Sequence, residues 1–221
     1  MPQIDFIQTL HSSTKRDYVA RVVEHDKAEC STIASKFGSD YWDGERQYGY
    51  GGYSYDGRWR PIAEKMVEHY GIKSGDRILD VGCGKGYLLY EFTQVVPGVE
   101  ISGIDISQYG IDNSKEEVKP FLQQGTAAEL PFTDSSFDFV VSLGTLHNLG
   151  LKDLWSAVSE IERVGKGSDK YIMVESYRNE KEKANLLYWQ LTCKSFHSTD
   201  GWKWIYDKVG YHGDYGFIYF E

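Results

Sequence analysis

Residues 77–105 read RILDVGCGKGYLLYEFTQVVPGVEISGID, and this stretch decides the fold. Ile78, Leu79, Asp80 and Val81 form a short, mainly apolar run that breaks into Gly82, Gly84 and Gly86. An amphipathic segment follows as far as Pro97-Gly98, and a second apolar run ends at Asp105. The order is strand, glycine turn, helix, strand, acid, which is the nucleotide-binding half of an open parallel sheet. The G-x-G-x-G spacing differs from the G-x-G-x-x-G of dinucleotide folds and lacks the GK[ST] of a phosphate loop. Glycine lets a backbone come into contact with a ligand and allows positive φ. Asp80, two residues before the turn, repels a pyrophosphate and suits a cation such as an amino group or a sulfonium. Asp105 can accept both hydroxyls of a ribose, and Ile106 beyond it offers an apolar face for a purine. An adenosine with a cationic, amino-acid-like tail satisfies all of these, and S-adenosylmethionine is that ligand.

Downstream, strands are expected at about 121–124, 137–143 and 170–176, with the FIYF of 217–220 as the last. Helices are expected at about 108–118, 151–164, 185–196 and 202–209, the last capped by Thr199 or Asp200. Such alternation argues for a doubly wound parallel sheet, and the final strand reads as an antiparallel addition. Upstream, Pro61 and Gly71 bracket a helix. Residues 4–36 carry helical apolar stripes, with Ser13 or Thr14 as a cap and Gly38 as a helix stop. Between them lies GSDYWDGERQYGYGGYSYDGRWR (38–60), rich in glycine and aromatics. It is too glycine-rich for a regular helix and too aromatic for disorder. It reads either as a loop packed on the sheet edge or as a lid over a site.

The chain has 221 residues, a formal net charge of −9 and a pI near 5.2. That length makes one ordinary domain, and the acidity argues against nucleic acid as a partner. Cys30, Cys83 and Cys193 form neither a disulfide framework nor a zinc spacing. No apolar run reaches the ~18 residues of a spanning helix, and the first residues lack a signal-peptide pattern. The expectation is a cytoplasmic protein without a metal or membrane insertion; a homodimer is left open.

Taken together, ILDVGCGKG (78–86), GIDIS (103–107), AAELPFTDSSFD (127–138), VVSLGTLHNL (140–149) and IERVGKG (161–167) resemble the class I S-adenosylmethionine-dependent methyltransferases, the group that includes quinone-type C-methyltransferases. The resemblance covers roughly residues 61–180. It implies a Rossmann-like α/β fold with a mostly parallel seven-stranded sheet in the order 3-2-1-4-5-7-6. Residues 61–221 would form this core, and residues 1–60 a helical cap and Tyr/Gly-rich lid. It implies that Asp80, Gly82, Cys83, Gly84 and Gly86 hold the methionine part, with S-adenosylhomocysteine as product. Asp105 would bind the ribose, Ile106 would pack on adenine, Thr126 and Ala127 would face the adenine edge, and Leu143 would pass under the methyl donor. The family often has Asp where this chain has Thr126, so adenine recognition is expected to be weaker or carried by the main chain.

On the acceptor side, His147 is a general base or a structural histidine. Glu175 binds an amine or sugar hydroxyls of the acceptor, or pairs with Arg178 or an N-terminal arginine, and Tyr177 at the end of the same strand is a further catalytic candidate. Asn148, Tyr48, Tyr50 and Tyr53 are candidate acceptor contacts, and Arg58 or Arg60 could take the methionine carboxylate. YGYGGYSYDGRW (48–59) also resembles an N-terminal signature of some bacterial methyltransferases, some in surface-polysaccharide loci. The expected function is methyl transfer to a small polar acceptor, a sugar or sugar-nucleotide hydroxyl or an amine. That choice rests on the tyrosines and on Asp40, Asp43, Asp56 and Glu175. The alternative is a quinone- or lipid-type C-methyltransferase, with Trp202, Trp204 and Tyr206 as an apolar patch. A non-catalytic cofactor-binding subunit is the reading of another class.

Overall fold

Short helices lead into the sheet in the computed structural model, which describes residues 1–12, 14–50 and 53–221. They are α1 (Gln8–Ser12), α2 (Ala20–Val23), α3 (Lys27–Ala34) and α4 (Ser39–Asp43). Asp17 caps α2, its carboxylate accepting from the Ala20 N–H at 2.9 Å. Asp26 caps α3 by accepting from Ala28 and Glu29. α2 does not start at the expected cap, Ser13 or Thr14; Ser13, like Gly51 and Gly52 of the glycine-rich stretch, lies outside the described residues. The residue that turns the chain after α3 is Phe37, at φ 48°, and Gly38 instead opens α4. A bulky residue at positive φ needs support from its surroundings. The Phe37 carbonyl has it, accepting from the Trp42 indole at 3.1 Å and the Ser107 hydroxyl at 2.5 Å.

α5 (Arg60–Tyr70) begins and ends as expected, with Pro61 in its first turn and Gly71 left-handed at its end. The chain then alternates: β1 (Arg77–Val81), α6 (Tyr87–Val95), β2 (Glu100–Asp105), α7 (Gln108–Asp112), β3 (Leu122–Gln124), β4 (Phe139–Leu143), α8 (Leu151–Val164) and β5 (Lys170–Glu175). It closes with α9 (Glu180–Trp189), α10 (Thr199–Val209) and β6 (Asp214–Ile218). Ser198, one residue before the expected cap, accepts from Gly201 to start α10. The strands form a six-stranded sheet in the order β3-β2-β1-β4-β5-β6. This is the Rossmann-like α/β sheet that was expected, with one strand fewer. β6 pairs parallel to β5, Tyr171 opposite Asp214 and Glu175 opposite Ile218. The antiparallel expectation fails because two helices lie between β5 and β6, enough for a crossover that returns the chain in the same direction.

Burial on both faces explains why the strands are apolar nearly throughout. Ile78 of β1 faces Ile62, Met66, Leu88 and Phe92 of α5 and α6. Leu79, the next residue, faces the other layer, with Leu154, Ile161 and Trp202 of α8 and α10. Trp202 and Tyr206, expected as a membrane-facing patch, therefore lie fully inside, and Trp204 alone of the three is exposed. Among the described residues no helix is long and apolar enough to cross a membrane. The N-terminal segment is fastened to the far edge of the sheet. Ile4 donates to the Tyr215 carbonyl at 2.8 Å and accepts from the Tyr171 hydroxyl at 2.9 Å.

Gly103 sits mid-strand, and a Cβ there would fall 2.6 Å from Leu122, 2.7 Å from the Cys83 sulfur and 2.9 Å from Leu89. Gly103→Val is expected to lower stability by about 1–3 kcal/mol in urea unfolding through overpacking. An unchanged midpoint would contradict this packing.

Candidate functional site

The C-terminal ends of β1, β2, β4 and β5 open into one cavity of about 580 Å³, the place where open α/β sheets bind ligands. Gly82 and Gly84 stand at φ 87° and 53°, which lets the turn curl beneath it. Asp105 fixes that curl: one carboxylate oxygen accepts from the Gly84 N–H and the other from the Ser107 N–H, both at 2.8 Å. Burial raises the Asp105 pKa, and those two N–H groups oppose the rise. Asp80 is buried beside it, and burial together with the Asp105 charge pushes its carboxyl up to about 8. Two carboxyl groups facing one cavity favour a cationic ligand. Ile106, 55% exposed, projects just past Asp105. Thr126, Ala127 and Leu143 line the same space. The Thr126 hydroxyl already accepts from the Ala128 N–H at 3.2 Å. These residues suit an adenosine with a sulfonium-bearing tail. Gly86 does not reach the cavity; at φ 71° it opens α6 and packs beneath Val118 and Leu122.

The glycine-rich stretch closes over this end. The Trp42 ring lies on Gly84 so tightly that a Cβ at Gly84 would be 2.6 Å from it. Its indole N–H donates to Ser107 at 2.7 Å. Tyr53 meets Trp42 at 4.8 Å between ring centroids. Asp43 holds the segment down, accepting from Lys85 at 2.6 Å and from the Tyr109 hydroxyl at 2.9 Å. Tyr41, Trp42, Tyr50 and Tyr53 line the cavity, whereas Tyr48 packs on Cys30, Ala34 and Leu191 away from it. Arg58 lines the cavity, yet its guanidinium is engaged by Asp56. Arg60 is paired with the fully buried Glu91 at 2.5 Å, which also accepts from Tyr55 at 2.7 Å. Both arginines are thus committed within the protein.

At the other end, His147 sits in a short turn after β4, buried. The Glu175 backbone N–H donates to its Nδ1 at 3.4 Å, so the ring proton is on Nε2, 3.6 Å from a Glu175 carboxylate oxygen. Burial pushes the His147 pKa down to about 3. Such an imidazole is neutral, weakly basic and has its lone pair occupied. Its own carbonyl accepts from Lys194 and Ser195, so His147 holds the chain after α9 in place and the base expectation is not supported. Glu175 is the reverse case. Burial raises its carboxyl to about 8, against the opposing charge of Arg16 and a hydrogen bond from Gln190. Gln190 links Glu175 to the Tyr50 hydroxyl, which it accepts at 2.6 Å. Tyr50 in turn accepts from the Leu191 and Thr192 N–H groups, and Asn148 accepts from Thr192 at 2.8 Å. Arg178 is not the partner of Glu175; it binds Glu182 and Glu221. Tyr177 packs among Leu186, Trp189 and Phe220, outside the cavity.

Several lining residues carried no signal in the sequence. Trp189 and Phe220 wall the Glu175 end of the cavity, and Gln190, behind that wall, bridges Tyr50 and Glu175. Each is distant in sequence from the glycine turn. The acids expected near the acceptor are directed elsewhere: Asp43 to Lys85, Asp56 to Arg58, and Asp40 to solvent.

Residues 79–173 match the family described as methyltransferase domain. Over 128 residues the chain is 34% identical to a demethylmenaquinone methyltransferase of Symbiobacterium thermophilum, covering 54% of this chain and 50% of that protein. It is 33% identical over 128 residues to a sterol 24-C-methyltransferase of Gibberella zeae, covering 51% of this chain and 33% of that one. The chain thus spans half or less of the length of these curated relatives. A solved structure of the YcgJ protein from Bacillus subtilis superposes with a TM-score of 0.56 at 24% identity, over 66% of each chain, and shares the fold.

If Asp105 accepts the ribose hydroxyls, Asp105→Ala is expected to weaken S-adenosylhomocysteine binding at least about tenfold in calorimetry, because it removes that acceptor and frees the glycine turn. Unchanged affinity would contradict the assignment. A second expectation concerns pH. Glu175 has its carboxyl raised from 4.5 to about 8 in the folded protein. Between those values the folded state binds the extra proton, so stability falls as pH rises through this window. Glu175→Gln should therefore gain stability over the parent as pH climbs from 5 to 9 (roughly the ends of that window); a constant difference would contradict the buried carboxyl.

Proposed function

Because the chain carries a class I S-adenosylmethionine-dependent methyltransferase domain, we propose that it methylates a largely apolar, planar small molecule that bears an ionisable hydroxyl. Carbon is the proposed acceptor atom. The observation that carries this reading is Glu175, a single buried carboxyl at the end of a cavity walled by aromatic side chains. A sugar would need several polar partners, and Asp40, Asp43 and Asp56 do not supply them. The aromatic walls that Tyr50, Trp189 and Phe220 contribute suit a ring system instead. The names of the relatives, a demethylmenaquinone and a sterol C-methyltransferase, point the same way.

S-Adenosylmethionine supplies an electrophilic methyl group on a sulfonium. Asp105 would accept the ribose hydroxyls, and Asp80 would offset the positive charge of the tail. Tyr41, Trp42 and Tyr53 exclude water from the glycine turn and offer ring faces to a cation. Glu175, with its carboxyl near 8, would take the proton of the acceptor hydroxyl and so activate the ring carbon; that carbon would take the methyl in place of its own proton, which leaves to water, and Glu175 would return its proton to the ring oxygen. Gln190 and Tyr50 keep the Glu175 carboxyl in one orientation, and alignment of the two reactants supplies much of the rate.

The test is methyl transfer from labelled S-adenosylmethionine to a panel of alkylated hydroquinones and phenols, with sugar nucleotides and amines alongside. Transfer to ring carbon of a hydroquinone is expected, with Glu175→Gln slower by about a hundredfold or more. Transfer to the sugars alone would contradict the proposal. Cofactor binding without turnover on any acceptor would favour the non-catalytic subunit.

A further inference from the structure

Trp189 is the wall between the large cavity and a second one of about 290 Å³, lined by Lys15, Asp17, Arg21, Glu24 and Arg46 among others. Three guanidinium groups surround its ring: Arg21 at 4.9 Å, Arg16 at 5.5 Å and Arg46 at 5.5 Å from the centroid. Among the described residues, none of these arginines, nor Lys15, forms an ion pair with a carboxylate, although the chain carries a net charge of −9. The nearby acids do not neutralise the cluster. Asp17 is used at the cap of α2, and Glu175 acts on Arg16 only across space. Asp17 and Glu24 line the second cavity too, but among the described residues neither forms an ion pair with these cations, so the clustered guanidinium groups gain from an anion that contacts them directly.

The hydrogen bonds show which donors remain. Arg21 is spent: its guanidinium donates to the Trp189, Arg46 and Gly49 carbonyls. It holds the lid segment and contributes field alone. Arg16 donates from its terminal nitrogens to His11 and Thr14, but its Nε–H is buried without a partner. Arg46 is exposed, and among the described residues its guanidinium makes a single hydrogen bond, a long one of 3.5 Å to the Lys15 carbonyl. A guanidinium fork with free N–H donors, stacked on an indole, matches a phosphate in charge and geometry.

We propose that Arg16 and Arg46, in the field of Arg21 and Lys15, bind a phosphate-type oxyanion at the Trp189 wall. The acceptor is then an amphiphile whose apolar part enters the large cavity while its phosphate or diphosphate stays at the wall. This last step rests on the reading of the large cavity as the acceptor site; the oxyanion site itself does not.

The test is equilibrium binding to the full chain, followed by calorimetry with decyl phosphate and with decanol, and by competition with inorganic diphosphate. Decyl phosphate is expected to bind at least about tenfold more tightly than decanol, diphosphate to compete, and Arg46→Gln to remove the difference. Affinity for S-adenosylhomocysteine should stay the same in that variant, since Arg46 lies outside the cofactor end. Sedimentation with phosphatidylglycerol vesicles distinguishes the sources: Arg46-dependent capture there, with no gain for decyl phosphate, identifies a lipid headgroup as the oxyanion. Equal binding of decyl phosphate and decanol, with no vesicle capture, overturns the site, as does a preference for phosphate that Arg46→Gln and Arg16→Gln both leave intact. Because every readout is binding, failure of the methyl-transfer reading would show separately, as absent turnover with the phosphate preference retained.

Discussion

The Asp105 carboxylate is the tie on which the site depends. It joins the end of β2 to the glycine turn through Gly84 and to the start of α7 through Ser107. Trp42 then rests on Gly84 and donates to Ser107, so the lid is referenced to the same two points. A buried acid at this position is expensive unless its oxygens accept hydrogen bonds. Here two backbone donors meet that need and leave further lone pairs toward the cavity. One carboxylate therefore shapes the turn, positions the lid and presents acceptors to a ligand.

The donor half of the molecule was legible in the sequence because it is local. Asp80, the glycines and Asp105 lie within a single strand–turn–helix–strand unit, and each residue type answers a need of the backbone or the ligand. Helix limits such as Pro61 and Gly71 were legible for the same reason. The direction of β6 was not, because it depends on how two helices between β5 and β6 route the chain. Tyr177, Tyr48 and Gly86 were expected in the site and lie outside it. Adjacency in sequence to Glu175, Tyr50 and Gly84 does not survive the alternation of side chains or the turn of the backbone.

The acceptor half was illegible in a more general sense. Trp189, Gln190 and Phe220 meet residues of the first sixty only after the N-terminal segment is laid across the sheet edge. Burial then reverses what residue type alone suggests. His147, ordinarily the neutral-pH base, is pushed down to about 3, while Glu175 is pushed up to about 8. On the proposed mechanism the proton-accepting role passes from one to the other, chiefly through desolvation. The expectation of a polar acceptor fails to find support for a related reason: of the acids that suggested it, Asp43 is engaged by Lys85 and Asp56 by Arg58, and Asp40 faces solvent.

The most direct measurement is a crystal structure of the protein with S-adenosylhomocysteine. Ribose hydroxyls are expected on Asp105, adenine against Ile106, Trp42 still packed on Gly84, and the sulfur facing the part of the cavity that ends at Glu175. A ligand bound elsewhere, or one whose sulfur is walled off from Glu175, would contradict it.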